Sequence, residues 1–301
     1  MISNPLTVAL VTPARNEEAY IELTLKSVVG QTIRPVKWVI VSDGSTDRTD
    51  EIVKKYSTEL DWIELVRMPE RQVRHFGGKV ACFNAGYARL KDVQYDVIGS
   101  LDADISFEPD YFEFLLGKLN ADPKLGLVGT PFREGDVSYD YRFSSTEHVS
   151  GACQLFRRDC FEAIGGYTPV KGGGIDVIAV LTARMRGWQT RTFPEKFCHH
   201  HRTMGSAKHN TFVTGLKLGE KDYTLGRHPL WQIFRSIYQL SRRPFIIGGA
   251  TLFIGYFWAM LRRVERPVSK ELIAFQRHEQ MERLRRFLTG RVASGHSQPG
   301  R

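Results

Sequence analysis

The stretch YDVIGSLDADISFEP, residues 95–109, decides the fold. Tyr95–Leu101 reads as a buried strand, and two carboxylates one residue apart, Asp102 and Asp104, follow its end. Oxygen ligands so placed suit a hard cation such as Mn2+ or Mg2+, whose open positions phosphate oxygens can fill. Bound there, such an ion would neutralise charge developing on a departing diphosphate.

Working outward, strands and helices alternate. Leu6–Thr12 is an apolar run, and Glu17–Val29 places Ile21, Leu25, Val28 and Val29 on one helical face. Val36–Val41 and Asp61–Arg67 read as strands; between them Ser45–Glu51 offers N-cap residues to a helix running through Lys55. Gly77–Leu90 reads as a helix. Beyond Asp110 come a helix (Tyr111–Leu119), a strand (Leu125–Thr130), a strand (Val149–Phe156), a short helix (Arg158–Ile164), and a glycine run before Asp176 and a further helix. This order predicts an α/β fold with a doubly wound, mostly parallel sheet and helices on both faces. Ligands bind such sheets outside the carboxyl ends of the strands. Charged residues follow those ends: Arg15 and Glu17 after the first, Asp43 after the second, Asp102 and Asp104 after the fourth. One shared cleft is expected.

The charge is divided unevenly. Residues 223–301 carry 14 Lys and Arg against 4 Asp and Glu, a balance of +10, while residues 1–222 hold 28 against 29. We therefore expect a nearly neutral body, 1–222, and a basic helical tail, 223–301. Such a tail suits anionic partners. Within it, Pro244–Leu261 is apolar and uncharged, bracketed by Arg242-Arg243 and Arg262-Arg263. As a helix it would be about 27 Å long, short for a hydrocarbon core of ~30 Å. Contact with a membrane surface through 244–301 is expected, either re-entrant or interfacial; burial as a core helix is the alternative. The four cysteines show no paired spacing and read as reduced core or pocket residues of a cytosolic protein. The N-terminus reads as a first strand rather than a leader, and Ala293–Arg301 as disordered.

Six stretches occur in an order that resembles the inverting nucleotide-sugar glycosyltransferases of family two, with their GT-A fold: VTPARNEE (11–18), VSDGSTDRTDEI (41–52), GGKVACFNAGY (77–87), LDAD (101–104), GACQLFRRDCFEAIGGY (151–167) and GGIDV (173–177). The resemblance implies a nucleoside pocket lined by Pro13, Arg15 and Glu17, with Glu17 accepting from ribose hydroxyls and Asp43 from the base. It implies that Lys79 offers charge to phosphate, that Asp102 holds the ribose and metal-bound water, and that Asp104 ligates Mn2+ or Mg2+ directly. Asp176 would be the general base that inversion requires. Ile175 stands where the family usually has Glu, and the plainer role for Asp176 is a helix N-cap. In CHHHR (198–202), His200 or His201 would complete the cation's shell and Arg202 would pair with pyrophosphate. A zinc site from Cys198, these histidines and His209 is the rival reading. Thr203–Gly226 is a lid over donor or a linker.

No Gln-x-x-Arg-Trp occurs, so transfer of a single sugar is expected rather than processive synthesis. The donor would be a nucleotide sugar, UDP by default. The acceptor would be lipid-linked or a saccharide, at the cytoplasmic face of the inner membrane. A sugar nucleotidyltransferase would need a glycine- and lysine-rich loop where Arg15–Glu18 stands. A nucleic-acid-binding protein would leave the strand-end carboxylates unexplained, so no nucleic-acid partner is expected. A non-catalytic membrane scaffold would not turn over nucleotide sugar.

Overall fold

The computed structural model describes residues 6–70, 76–134, 145–170, 172–202, 211–242 and 244–289. It divides into two compact units, Met1–Ser206 and Ala207–Arg301. The boundary expected after residue 222 falls inside a helix, Thr211–Thr224. Residues 203–210 of the expected lid or linker lie outside the described residues, as do His209, Arg243 and Ala293–Arg301.

The first unit opens with β1 (Val8–Ala14), α1 (Ile21–Val29), β2 (Lys37–Ser42), α2 (Thr49–Glu59), β3 (Ile63–Arg67), α3 (Phe76–Ala88) and β4 (Val97–Leu101). It continues with β5 (Ile105–Ser106), α4 (Tyr111–Ala121), β6 (Leu125–Gly129), β7 (Phe132–Arg133), β8 (Cys153–Arg157), α5 (Arg158–Ala163), α6 (Ile175–Met185), β9 (Gln189–Thr192) and β10 (Cys198–His200). Seven strands form one sheet in the order β3-β2-β1-β4-β8-β6-β9. Only β8 runs antiparallel to its neighbours. The doubly wound expectation is met. Strand order reverses between β1 and β4, the place where open α/β sheets take their ligands.

Alternate residues along β1 and β2 serve opposite faces. Leu10, Trp38 and Ile40 join Ile21 and Leu25 of α1 in one core. Val11 and Val41 meet α3, where a Cβ added to Gly86 would lie 2.6 Å from Val11 Cγ1. Glycine there lets α3 settle onto the sheet with Lys79 in its first turn. The wholly buried Trp38 donates its indole N–H to Thr12 Oγ1 at 2.9 Å. An unpaired indole there would cost ~1–3 kcal/mol. All four cysteines are buried thiols.

Boundaries differ where side chains compete with the helix start. α2 runs to Glu59, beyond Lys55, and Arg48 at its N-cap makes no side-chain cap. Asp47 supplies the acceptor instead, taking Thr49 N–H at 3.0 Å. A second, three-stranded sheet, β5-β10-β7, went unread in the sequence, because strands of two or three residues show no periodicity.

The second unit is helical: α7 (Thr211–Thr224), α8 (Pro229–Leu240), α9 (Ile247–Leu261) and α10 (Lys270–Leu288). α7 and α9 meet at backbone distance, since a Cβ on Gly255 would lie 2.1 Å from Leu216 O. Asp222, buried in this unit, lies 2.8 Å from Arg227 Nε as an ion pair and accepts a hydrogen bond from Arg235. The opposite edge of α9 stays open: Ile254, Trp258 and Leu261 are exposed, with Ile237 of α8. An apolar groove of about 510 Å3 runs between α8 and α9. Among the described residues no helix is long and apolar enough to cross a membrane.

Candidate active site

The loops after β1 and β2 are laced together. Ala14 and Ser42 are register partners, which sets Arg15 beside Asp43: Arg15 Nη1 lies 3.6 Å from Asp43 Oδ2. Asn16 adopts φ 53°, a left-handed conformation that asparagine tolerates. Its Oδ1 accepts from Thr46 N–H at 2.9 Å. Glu17 N–H donates to Thr49 Oγ1 at 2.7 Å. Pro13, half-buried on β1, pairs in register with Val41. The residues expected to line a nucleoside pocket thus sit on adjacent strand ends.

Across the switch point, β4 delivers Asp102 and Asp104. The chain then enters β5, which pairs antiparallel with β10 and sets His200 opposite Ile105. Ligand atoms of Asp102, Asp104 and His200 lie within 4.8 Å of one another. His200 Nε2 is 3.5 Å from Asp104 Oδ1. Two carboxylates and an imidazole so gathered fit a hard divalent cation. His201 points elsewhere. Its Nε2 pairs with Ser106 Oγ at 2.8 Å, and its ring stacks on Tyr20 at 6.3 Å between centroids. Cys198 lies outside the ligand group found among the described residues.

Arg202 spans two carboxylates. Its guanidinium donates to Glu17 and lies 3.5 Å from Asp104 Oδ2. Glu17 is buried, and a buried carboxylate needs such a partner. Lys79 donates to Asp102 Oδ1. Burial opposes the Lys79 charge, but the carboxylates of Asp102, Asp176 and Asp104 outweigh it and hold the ammonium above the ordinary lysine range. Lys79 is a charged group facing the same acidic cluster.

Asp176 is the second residue of α6, not its cap. The N-cap is Gly174 at φ 96°, without a side-chain bond. Among the described residues the Asp176 carboxylate makes no hydrogen bond or ion pair, and it is half-buried. Gly151 backs it: a Cβ there would sit 3.0 Å from Asp176 Cβ and 3.3 Å from its Oδ2. A carboxylate held in place yet unspent can accept a proton.

Sequence reading missed Glu134, at the end of β7, whose Oε1 lies 3.3 Å from His200 Nδ1. It also missed Gly151 and Tyr20. A carboxylate five residues beyond the apolar run Leu125–Gly129 was the available sign for Glu134; nothing marked the other two.

Residues 9–265 match the model of a family described as glycosyl transferase family 2. The chain is 33% identical over 203 residues to the poly-beta-1,6-N-acetyl-D-glucosamine synthase of Staphylococcus aureus, covering 61% of this chain and 47% of the synthase. It therefore spans about half the length of that relative. Mannosyltransferase PcManGT from Pyrobaculum calidifontis, solved in complex with GDP-Man and Mn2+, is similar with a TM-score of 0.58 and 18% identity, over 95% of this chain and 81% of that one. S. aureus TarS 1–349 in complex with UDP-GlcNAc has a TM-score of 0.54 and 13% identity, over 90% and 78% of the two chains. What these solved structures share with the chain is its fold.

Proposed function

The chain belongs to glycosyl transferase family 2, and from that premise we propose that it transfers a sugar from a nucleotide donor to a hydroxyl of a lipid-linked or saccharide acceptor, with inversion. The observation that carries this reading is the gathering of Asp102, Asp104 and His200 at the switch point of the sheet. Those three residues would hold Mn2+ or Mg2+, which would supply charge neutralisation for the leaving diphosphate.

The chain's own groups divide the rest of the work. Pro13, Arg15, Glu17 and Asp43 receive the nucleoside. Lys79 and Arg202 face the phosphates. Asp176 takes the proton of the acceptor hydroxyl as its oxygen bonds to C1 of the sugar. The C1–O bond to phosphate breaks, and its electron pair leaves with the nucleoside diphosphate. UDP-N-acetylglucosamine is the first donor to try, supported by the sugar in the synthase's name and the ligand of TarS.

The acceptor is met at the inner face of a membrane, with the open α8–α9 face of the second unit against the lipid. In support, Trp258 and Ile237 are 60% and 61% exposed, beside arginines that suit anionic headgroups. A second reading is repeated addition of one sugar, favoured by the polymer synthase among the relatives.

A panel of UDP-, GDP- and dTDP-sugars, with Mn2+, Mg2+ or EDTA, tests the proposal on the full chain. Nucleotide release from one donor, lost in EDTA, is expected. Release from none, or release indifferent to EDTA, counts against it. Product length by mass spectrometry separates single from repeated transfer.

A further inference from the structure

We infer that Glu134 is a positioning residue that sets the ring of His200, so that Nε2 faces Asp104. The inference rests on the cation reading of the Asp102–Asp104–His200 cluster and adds a residue outside it.

The small sheet carries the inference. β10 runs parallel to β7, with Cys198 opposite Phe132 and His199 opposite Arg133. The next pair in that register is His200 and Glu134. Their side chains meet, with Glu134 Oε1 3.3 Å from His200 Nδ1 and side-chain exposures of only 16% and 10%. On the other side of the ring, Nε2 lies 3.5 Å from Asp104 Oδ1. The imidazole is thus held between two carboxylates, one at each nitrogen. Phe132 packs on it at 5.6 Å between centroids, which limits rotation of the ring.

A neutral imidazole carries one N–H and one lone pair. Nδ1 is sealed from solvent and makes no hydrogen bond among the described residues. A buried N–H without an acceptor is costly, and Glu134 is the acceptor within reach after a small turn of either group. With the proton on Nδ1, the Nε2 lone pair points toward the acidic pair. The other tautomer would aim a hydrogen there instead. A carboxylate behind a ligand histidine fixes the tautomer and orientation of the ring and raises its basicity.

The test uses the full chain, with Mn2+ titrated in the presence and absence of UDP and the free ion followed by EPR. Glu134→Ala is expected to weaken Mn2+ binding by about 10- to 100-fold. Glu134→Gln, whose amide oxygen still accepts from Nδ1, should fall between Glu134→Ala and wild type. In metal-free protein labelled with 15N-histidine, the His200 signals, assigned with His200→Ala, should report Nδ1–H in wild type and a mixture of tautomers in Glu134→Ala. That readout would not move if Glu134 only packed. Wild-type protein that binds no Mn2+ under either condition overturns the cation reading and this inference with it. Wild-type binding matched by Glu134→Ala, with unchanged ring signals, overturns the role of Glu134 alone. Should Glu134→Ala fail to fold, Glu134→Gln decides: wild-type affinity with wild-type ring signals overturns that role.

Discussion

Asp104 Oδ1 and His200 Nε2 lie 3.5 Å apart, and backbone bonds set that spacing. β5 begins one residue after Asp104, and His201 N–H donates to the Asp104 carbonyl at 2.9 Å. Replacing Asp104 removes a ligand without disturbing those bonds. Asp104→Ala should lower donor turnover by more than about 10²-fold at saturating Mn2+, the scale seen when one preorganised transition-state contact is lost. Nucleotide release measures it, and turnover near wild type would remove the cation from the mechanism.

Neighbouring histidines should behave differently. His200 faces the acidic pair, whereas His201 is held by Ser106 and Tyr20. His200→Ala should weaken Mn2+ binding tenfold or more, while His201→Ala should leave Mn2+ affinity nearly unchanged. Isothermal titration compares the two; equal losses would contradict the placement of the rings.

Asp176 has no competing bond among the described residues. Asp176→Asn keeps its size and removes its ability to take a proton. Sugar transfer should fall by about 10² to 10⁴-fold, the usual worth of a general base, with donor affinity unchanged. Single-turnover transfer beside equilibrium donor binding separates the two quantities. Undiminished transfer would assign the proton to another group.

Gly151 gives a test of position rather than of chemistry. A methyl group there would press on Asp176 from 3.0 Å, so the carboxylate must shift by a few tenths of an ångström. Gly151→Ala should slow transfer by less than about 100-fold, the scale for a 1 Å misplacement, while Mn2+ affinity stays constant. A variant as fast as wild type would show that this wall of the site gives way freely.

Vesicle binding checks the open face of the second unit. Trp258 is 60% exposed on α9, and withdrawing such a side chain from lipid costs ~1.5–3 kcal/mol. Trp258→Glu should therefore weaken binding to vesicles rich in phosphatidylglycerol by about tenfold or more, and raised salt should weaken wild-type binding as well. Flotation assays read both effects; unchanged flotation would leave that surface to another partner.

The legible parts of the molecule were those with a local signature. β1, β2 and β4 are apolar runs long enough to show themselves, and the carboxylates beyond them stood out because ligands bind such sheets at the carboxyl ends of the strands. Side-chain pairing was hidden. Arg15 and Asp43 were read separately as ligand contacts, yet they face each other because Ala14 and Ser42 share a register that no single strand reveals. The choice between His200 and His201 depended on strands too short to carry a pattern. The start of α6 moved for a local reason: Gly174 takes the left-handed turn, which leaves Asp176 inside the helix rather than at its cap.

The pairing of β5 with β10 has a consequence for how such an enzyme can diversify. Everything between Ser106 and Cys198 forms an excursion that leaves from one strand of that pair and returns to the other. Lengthening or rebuilding the excursion alters the wall beside Asp176, where the incoming alcohol would be chosen. The grip of Asp104 and His200 keeps its width as long as β7 and Glu134 are spared, because main-chain bonds at the two ends and the Glu134 carboxylate behind His200 dictate it. On the proposed reading, taste for a new recipient would drift while the apparatus that breaks the donor stayed in tune.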